Sequence, residues 1–214
     1  MEYFYLIYVA ILYKIYNLIK IIKQHAIMQF YAVIKRKIMQ TLLIFSHTFW
    51  KDSKVNRALL ESAKTLSNVK IHNLNETYKD GVINAESEVA LLKNSQKIIF
   101  QFPLFWFSTP ALMKEWQDRV LTHILYGKDS KLLQGKKFQI ITTLGGAKES
   151  YDGHHGYSLN TILSPLTSAF KYCGCEILES FAIFSAKVDT LPMQEYLETL
   201  QNDKQQSVRS KIWE

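Results

Sequence analysis

Three short stretches of this chain hold residue types that could grip a flat, phosphorylated molecule. The first is Ser46–Asn56, in which Ser53-Lys54-Val55-Asn56 opens a helical pattern. The unpaired N–H groups and dipole of a helix start suit a phosphate, although a serine in that position more often only caps its helix. The second is Gln101-Phe102-Pro103-Leu104-Phe105-Trp106-Phe107-Ser108-Thr109-Pro110. Surface loops normally use small polar residues, so aromatics set between prolines read either as a hydrophobic plug or as a platform for a planar ring. Within it Trp106 and Phe107 are the foremost stacking candidates, while Phe102 and Pro103 aim the loop. The third is Thr142-Thr143-Leu144-Gly145-Gly146. Paired glycines let a backbone approach a ring closely and offer N–H donors, or they merely make a turn.

The elements that must carry these stretches alternate in type. Thr41–Phe45, Val69–Leu74, Lys97–Phe102, Lys137–Thr143 and part of Glu176–Phe184 read as strands, being short and rich in apolar β-formers. Ser53–Ala63, Glu86–Lys93, Ala111–Leu121, Leu159–Tyr172 (despite Pro165) and Glu195–Trp213 read as helices. Repeated strand–helix units predict one α/β domain with a parallel sheet covered on both faces. In such sheets ligands bind beyond the carboxyl ends of the strands. The loops after the first, third and fourth strands then share one edge. A phosphate seat, an aromatic wall and a bare backbone wall together describe a pocket for flavin mononucleotide (FMN).

Composition narrows the alternatives. Of the net charge of +7, residues 1–38 carry +5 (six basic side chains against Glu2), leaving +2 for residues 39–214. No basic face remains to neutralise a run of phosphates, which argues against nucleic-acid binding. Cys173 and Cys175 are too close for an ordinary mutual bridge, and no second Cys or His pair completes a metal set. Residues 1–38 read as a separate extension. The apolar run Tyr3–Tyr13 is short for a bilayer span, lacks the form of a signal peptide, and also suits a basic amphipathic surface helix. A fourth reading starts the native chain at Met39, whose following residues open the first strand.

From Met39 onward the chain resembles the flavodoxin-like NAD(P)H:quinone oxidoreductases, in particular the general stress protein 14 and potassium-efflux ancillary reductase type. The most specific match is Phe100–Pro110 with Lys114, Trp116, Asp118 and Val120. The resemblance implies a three-layer α/β/α fold, a five-stranded parallel sheet ordered 2-1-3-4-5, and FMN, with FAD as the alternative. It assigns the flavin phosphate to His47 and to Ser53, Lys54, Val55 and Asn56. It lays Pro103, Leu104, Phe105, Trp106 and Phe107 along the ring, and Thr142, Thr143, Leu144, Gly145 and Gly146 along its polar edge. Leu144 interrupts the family's Thr-Thr-Gly-Gly run. Tyr151 and His155 match residues that stabilise charge on the reduced flavin, with His154 a competitor for His155. The implied activity is ping-pong, two-electron hydride transfer from NAD(P)H to a quinone or nitro-compound. The implied setting is a cytoplasmic homodimer, or a flavin-binding regulatory subunit of a potassium-efflux transporter at the inner face of the membrane.

Overall fold

The computed structural model describes residues 13–25, 27, 40–154 and 156–202. The chain divides into two compact units, residues 1–38 and 39–214. In the first, residues 13–25 are helical and almost wholly exposed. The apolar run 3–13 lies outside the described residues, Tyr13 apart. Among the described residues no helix is long and apolar enough to cross a membrane.

In the second unit the strands are β1 (Thr41–Phe45), β2 (Val69–Asn73), β3 (Lys97–Pro103) and β4 (Lys137–Thr143), all but β2 rich in apolar residues and almost wholly buried. All pair in parallel, in the order β2-β1-β3-β4, with the last strand outside β4. The expected 2-1-3-4-5 order is therefore present, with one difference. The last strand is broken into β5 (Glu176–Ile177) and β6 (Phe181–Ile183), both paired to β4. Phe138 pairs with Ile177 and Ile141 with Phe181, so the last strand carries one more residue than β4 over this interval. That is a bulge, which leaves backbone groups unpaired. Gln139 Nε2 takes up one of them by donating to the Glu179 carbonyl at 2.8 Å.

The helices are α1 (Val55–Ala63), α2 (Ala85–Lys93), α3 (Ala111–Leu125), α4 (Leu159–Tyr172) and α5 (Met193–Gln201), with a single turn, Leu74–Thr77, after β2. Asn84 and Ser158 cap α2 and α4 by accepting from the N–H groups of Ser87 and Thr161. Pro165 has no N–H for the carbonyl of Thr161, and the Ser164 hydroxyl donates to that carbonyl instead, at 2.7 Å. This explains how a proline sits inside α4. The terminal helix expected over Glu195–Trp213 stops at Gln201, Asn202 being extended, and residues 203–214 lie outside the described part.

The period of two along each strand sorts the core onto two faces. One face packs Ile98, Phe100, Phe138 and Ile140 against Leu92, Trp116 and Phe170 of α2, α3 and α4. Its aromatics interlock, Phe138 stacking on Phe170 with ring centroids 3.6 Å apart and Phe100 meeting Trp116 edge-on at 5.2 Å. The other packs Leu43, Phe45 and Ile99 against Leu59 and Leu60 of α1 and Tyr196 and Leu200 of α5. Each fully buried side chain of this kind contributes about 1.5–3 kcal/mol.

Buried polar residues interrupt both faces, and several of them find partners far along the chain. Lys97 Nζ donates to the carbonyls of Thr199 and Asn202 at 2.7 and 2.9 Å, and Thr41 Oγ1 to that of Leu200 at 3.0 Å. These close the carbonyl end of α5, where a cation is also favoured by the helix dipole. Beneath β2, the buried Glu88 carboxylate accepts from His72 Nε2 at 2.8 Å, from Trp116 Nε1 at 2.6 Å and from the Tyr78 hydroxyl. Burial opposes its ionisation, but these donors outweigh it and hold the carboxyl below the usual range.

Candidate flavin site

The carboxyl ends of β1, β3 and β4 open on a cleft of about 360 Å³. Its floor at one end is the β1–α1 connection. His47 is almost fully buried there, its N–H donating to Asn75 Oδ1 at 2.8 Å. Its Nδ1 accepts from the Phe49 N–H at 2.9 Å, so the neutral ring carries its proton on Nε2. Burial lowers the His47 pKa, partly offset by the Asp52 carboxylate. At neutral pH His47 is thus a neutral Nε2–H donor.

Ser53 is the sharpest feature of this end. Its Oγ is buried and has no hydrogen-bond partner in the protein. The helix that follows, α1, has no side-chain cap, so its first N–H groups are open. A buried hydroxyl without a partner costs about 1–3 kcal/mol unless something occupies it. The loop that presents it is braced from outside. Arg57 lies over the Trp50 ring at 4.2 Å and donates to the carbonyls of Trp50 and Ser53, while Trp50 Nε1 donates to Glu76 at 3.1 Å.

The wall from β3 is Pro103, Leu104 and Phe105. The Phe105 ring meets His47 and Phe49 edge-on, at 5.5 and 5.8 Å between centroids. Phe105 and Ser108 exchange both backbone hydrogen bonds, at 3.2 and 2.9 Å. Between them Trp106 and Phe107 have φ of +47° and +61°, the two positive angles of a mirror-type two-residue turn. Bulky residues rarely accept this conformation. It carries Trp106, 94% exposed, and Phe107 to the tip of the turn, outside the cleft lining.

The wall from β4 is Thr143, Leu144 and Gly145. The Leu144 side chain turns into the protein and is 2% exposed. Its backbone is zipped to the far side through Leu144 N to Ile183 O at 2.9 Å and Ala186 N to Leu144 O at 3.0 Å. A Cβ at Gly145 would meet no protein atom within 4 Å, so this face of the backbone is bare toward the cleft. Gly146 differs, since a Cβ there would lie 3.0 Å from Tyr151 Cε2. The glycine allows the Tyr151 ring to lie against the loop. Thr142 points to the opposite face of the sheet, its hydroxyl donating to the Phe102 carbonyl at 2.9 Å.

Of the residues read from the sequence, His47, Ser53, Lys54, Val55, Asn56, Pro103, Leu104, Phe105, Thr143, Leu144 and Gly145 all line this cleft. Thr142, Trp106, Phe107, Gly146 and Tyr151 are not part of its lining. His155 lies outside the described residues, and its neighbour His154 is exposed, its N–H donating to Asp152 at 2.7 Å. The cleft adds Phe49, Asp52 and Ala186. Phe49, an exposed aromatic in the β1–α1 loop, carried a signal like that of Phe105, whereas nothing local marks Ala186. Among the described residues no group of His, Cys, Asp and Glu is arranged to hold a metal ion. Cys173 and Cys175 are free thiols, the latter pushed up to about 12 by burial first and then by the neighbouring Cys173.

An orphaned hydroxyl at an uncapped helix start, an aromatic wall and a bare glycine backbone fit a flavin ribityl phosphate and its ring. Over 155 residues the chain is 37% identical to the glutathione-regulated potassium-efflux system ancillary protein KefG of Cronobacter sakazakii, covering 71% of this chain and 84% of that one. The structure of general stress protein 14 of Treponema denticola, solved in complex with FMN, superposes with a TM-score of 0.66 at 28% identity, covering 76% and 93%. An NADPH-quinone reductase of P. pentosaceus superposes with a TM-score of 0.66 at 27% identity, covering 76% and 96%. The sequence model of the flavodoxin-like fold matches residues 39–204, and the chain belongs to that family.

Proposed function

We propose that this protein is an NAD(P)H:quinone oxidoreductase that works through FMN held in the cleft. The observation that carries the reading is Ser53 Oγ, buried without a partner at the open start of α1, in the same cleft as Phe105 and Gly145. The chemistry that bound FMN supplies is two-electron transfer, a hydride in from NAD(P)H and a hydride out to a quinone or nitro-compound. Ser53 Oγ, the first N–H groups of α1 and His47 Nε2–H donate to the phosphate. Leu104 and Phe105 keep water from one side of the ring. Gly145 would let the backbone approach the ring's polar edge, with N–H donors where negative charge gathers on reduction. Tyr151 stands against Gly146 to support that charge, together with His155. A ring face left open at the mouth of the cleft would serve donor and acceptor in turn, which would make the kinetics ping-pong.

The test is acid release of the cofactor from purified protein and its chromatography, followed by steady-state NAD(P)H oxidation with a simple quinone. FMN and parallel double-reciprocal lines are expected; protein without flavin, or intersecting lines, sinks the reading. The likeness to an efflux ancillary protein supports a second role, in which a flavin-bound homodimer docks on a membrane transporter from the cytoplasmic side. Flavin binding without any NAD(P)H oxidation would leave that role alone.

A further inference from the structure

A chain of buried side chains runs from the terminal helix to the cleft. The Tyr196 hydroxyl on α5 donates to Gln101 Oε1 on β3 at 2.8 Å. Gln101 Nε2 donates to Asn56 Oδ1 on α1 at 3.2 Å, and Asn56 Nδ2 to Thr143 Oγ1 on β4 at 2.9 Å. Tyr196 and Gln101 are fully buried, Asn56 and Thr143 nearly so, and the last two line the cleft.

Such a chain has a direction. Each amide offers an oxygen at one end and an NH₂ at the other, so the orientation of one link dictates the next. With Tyr196 donating, every later group receives from the Tyr196 side and gives toward Thr143. The Thr143 oxygen then accepts from inside the protein, and its proton is left for the cleft. In the reverse order Thr143 would donate inward and show the cleft only lone pairs. That order would leave the buried Tyr196 O–H without an acceptor, at a penalty that disfavours it. Burial also raises the Tyr196 pKa far above neutrality, so the phenol keeps its proton at any working pH.

We propose that Tyr196 is a positioning residue for the cleft, acting through Gln101 and Asn56 to aim the Thr143 hydroxyl proton at an acceptor oxygen of the ribityl-phosphate arm of bound FMN. Tyr196 is not one of the residues that line the cleft; its effect travels as hydrogen-bond polarity. This inference rests on the flavin reading above. It gives α5, which the resemblance did not assign to the site, a part in cofactor binding.

The experiment measures FMN and riboflavin dissociation constants by flavin-fluorescence quenching, with thermal unfolding of each apoprotein as a control for folding. The variants are Tyr196→Phe, Thr143→Val and the pair combined. Thr143→Val is expected to weaken FMN binding about tenfold, the size of one lost hydrogen bond, and Tyr196→Phe somewhat less. The double variant should bind no more weakly than Thr143→Val, because both act through one proton. Gln101→Glu is the second probe, since its carboxylate only accepts. It turns the Asn56 NH₂ inward and makes Thr143 donate inward too. It should weaken FMN binding in the wild-type background but not beyond Thr143→Val when combined with it, whereas simple charge repulsion would persist there. Loss for FMN with riboflavin unchanged places the acceptor on the phosphate; equal loss for both places it on the ribityl chain. Tyr196→Phe that lowers the melting temperature yet binds FMN like wild type, or additive losses in the double variant, overturns the proposal alone. Wild-type protein that binds no FMN overturns the flavin reading and this inference with it.

Discussion

Replacing Trp106 by glycine should make the apoprotein more stable, an unusual expectation for the loss of a tryptophan. The side chain is 94% exposed, so its removal forfeits almost no burial. Its backbone, however, is held at φ +47°, where a residue with a Cβ is disfavoured by roughly 1–2 kcal/mol. Glycine escapes that cost but adds about 0.5–1 kcal/mol of chain entropy to the unfolded state. At the midpoints of these ranges the net gain is about 0.75 kcal/mol for glycine over alanine, and a domain of this size moves by about 2–4 °C per kcal/mol. Thermal unfolding of apo Trp106→Gly should therefore lie about 1–4 °C above that of Trp106→Ala, which keeps both the Cβ and the strain and should melt near wild type. A Trp106→Gly melting temperature at or below that of Trp106→Ala would refute the strained-turn argument. The same two proteins report on stacking. Trp106 lies at the tip of the turn and Phe105 lines the cleft, so Phe105→Ala should lose more flavin on purification than either.

The remaining expectations concern other parts of the molecule. Ser53→Ala should weaken FMN binding by about tenfold or more, the worth of a hydrogen bond to a charged group, and leave riboflavin binding unchanged; equal loss for both ligands would move the phosphate elsewhere. Gly146→Ala puts a Cβ 3.0 Å from Tyr151 Cε2 and must shift that ring. Stopped-flow reduction by NAD(P)H should slow while flavin stays bound, and an unchanged rate would take Tyr151 out of the chemistry. Glu88→Gln presents an NH₂ to at least one of three donors and should cost about 2–4 kcal/mol in urea unfolding. Because the folded Glu88 pKa is lowered, its stabilisation is complete above the unfolded value of about 4.3 and is lost as pH falls through the folded one. Wild type should thus lose stability below about pH 4 more steeply than Glu88→Gln; parallel acid profiles would show that the carboxylate is not held ionised.

Much of this protein could be read from residue order alone. The strands of a parallel sheet are buried on both faces, so Leu42–Phe45, Ile98–Phe102 and Phe138–Ile141 announce themselves as unbroken or nearly unbroken apolar runs. Once the strands are parallel, their following loops must emerge on one edge, which is why Ser53, Phe105 and Gly145 could be brought together without coordinates. Local periodicity and chain direction carry that information, and both are written in neighbouring residues.

What tertiary structure alone decided depends on groups far apart in the chain or on angles that composition does not express. The aromatic segment stood out, but only the positive φ values of Trp106 and Phe107 show that Phe105 faces the cleft while those two crown the turn. Lys97 and Gln101 were visible as polar residues in a buried strand. Their partners, the end of α5 for one and Asn56 with Tyr196 for the other, were not. Gln101 and Tyr196 are 95 positions apart, and Asn56 and Thr143 are 87 apart. A buried polar group must find a partner, but which one it finds depends on how the helices settle on the sheet. That packing is a property of the whole fold, and no window of sequence contains it.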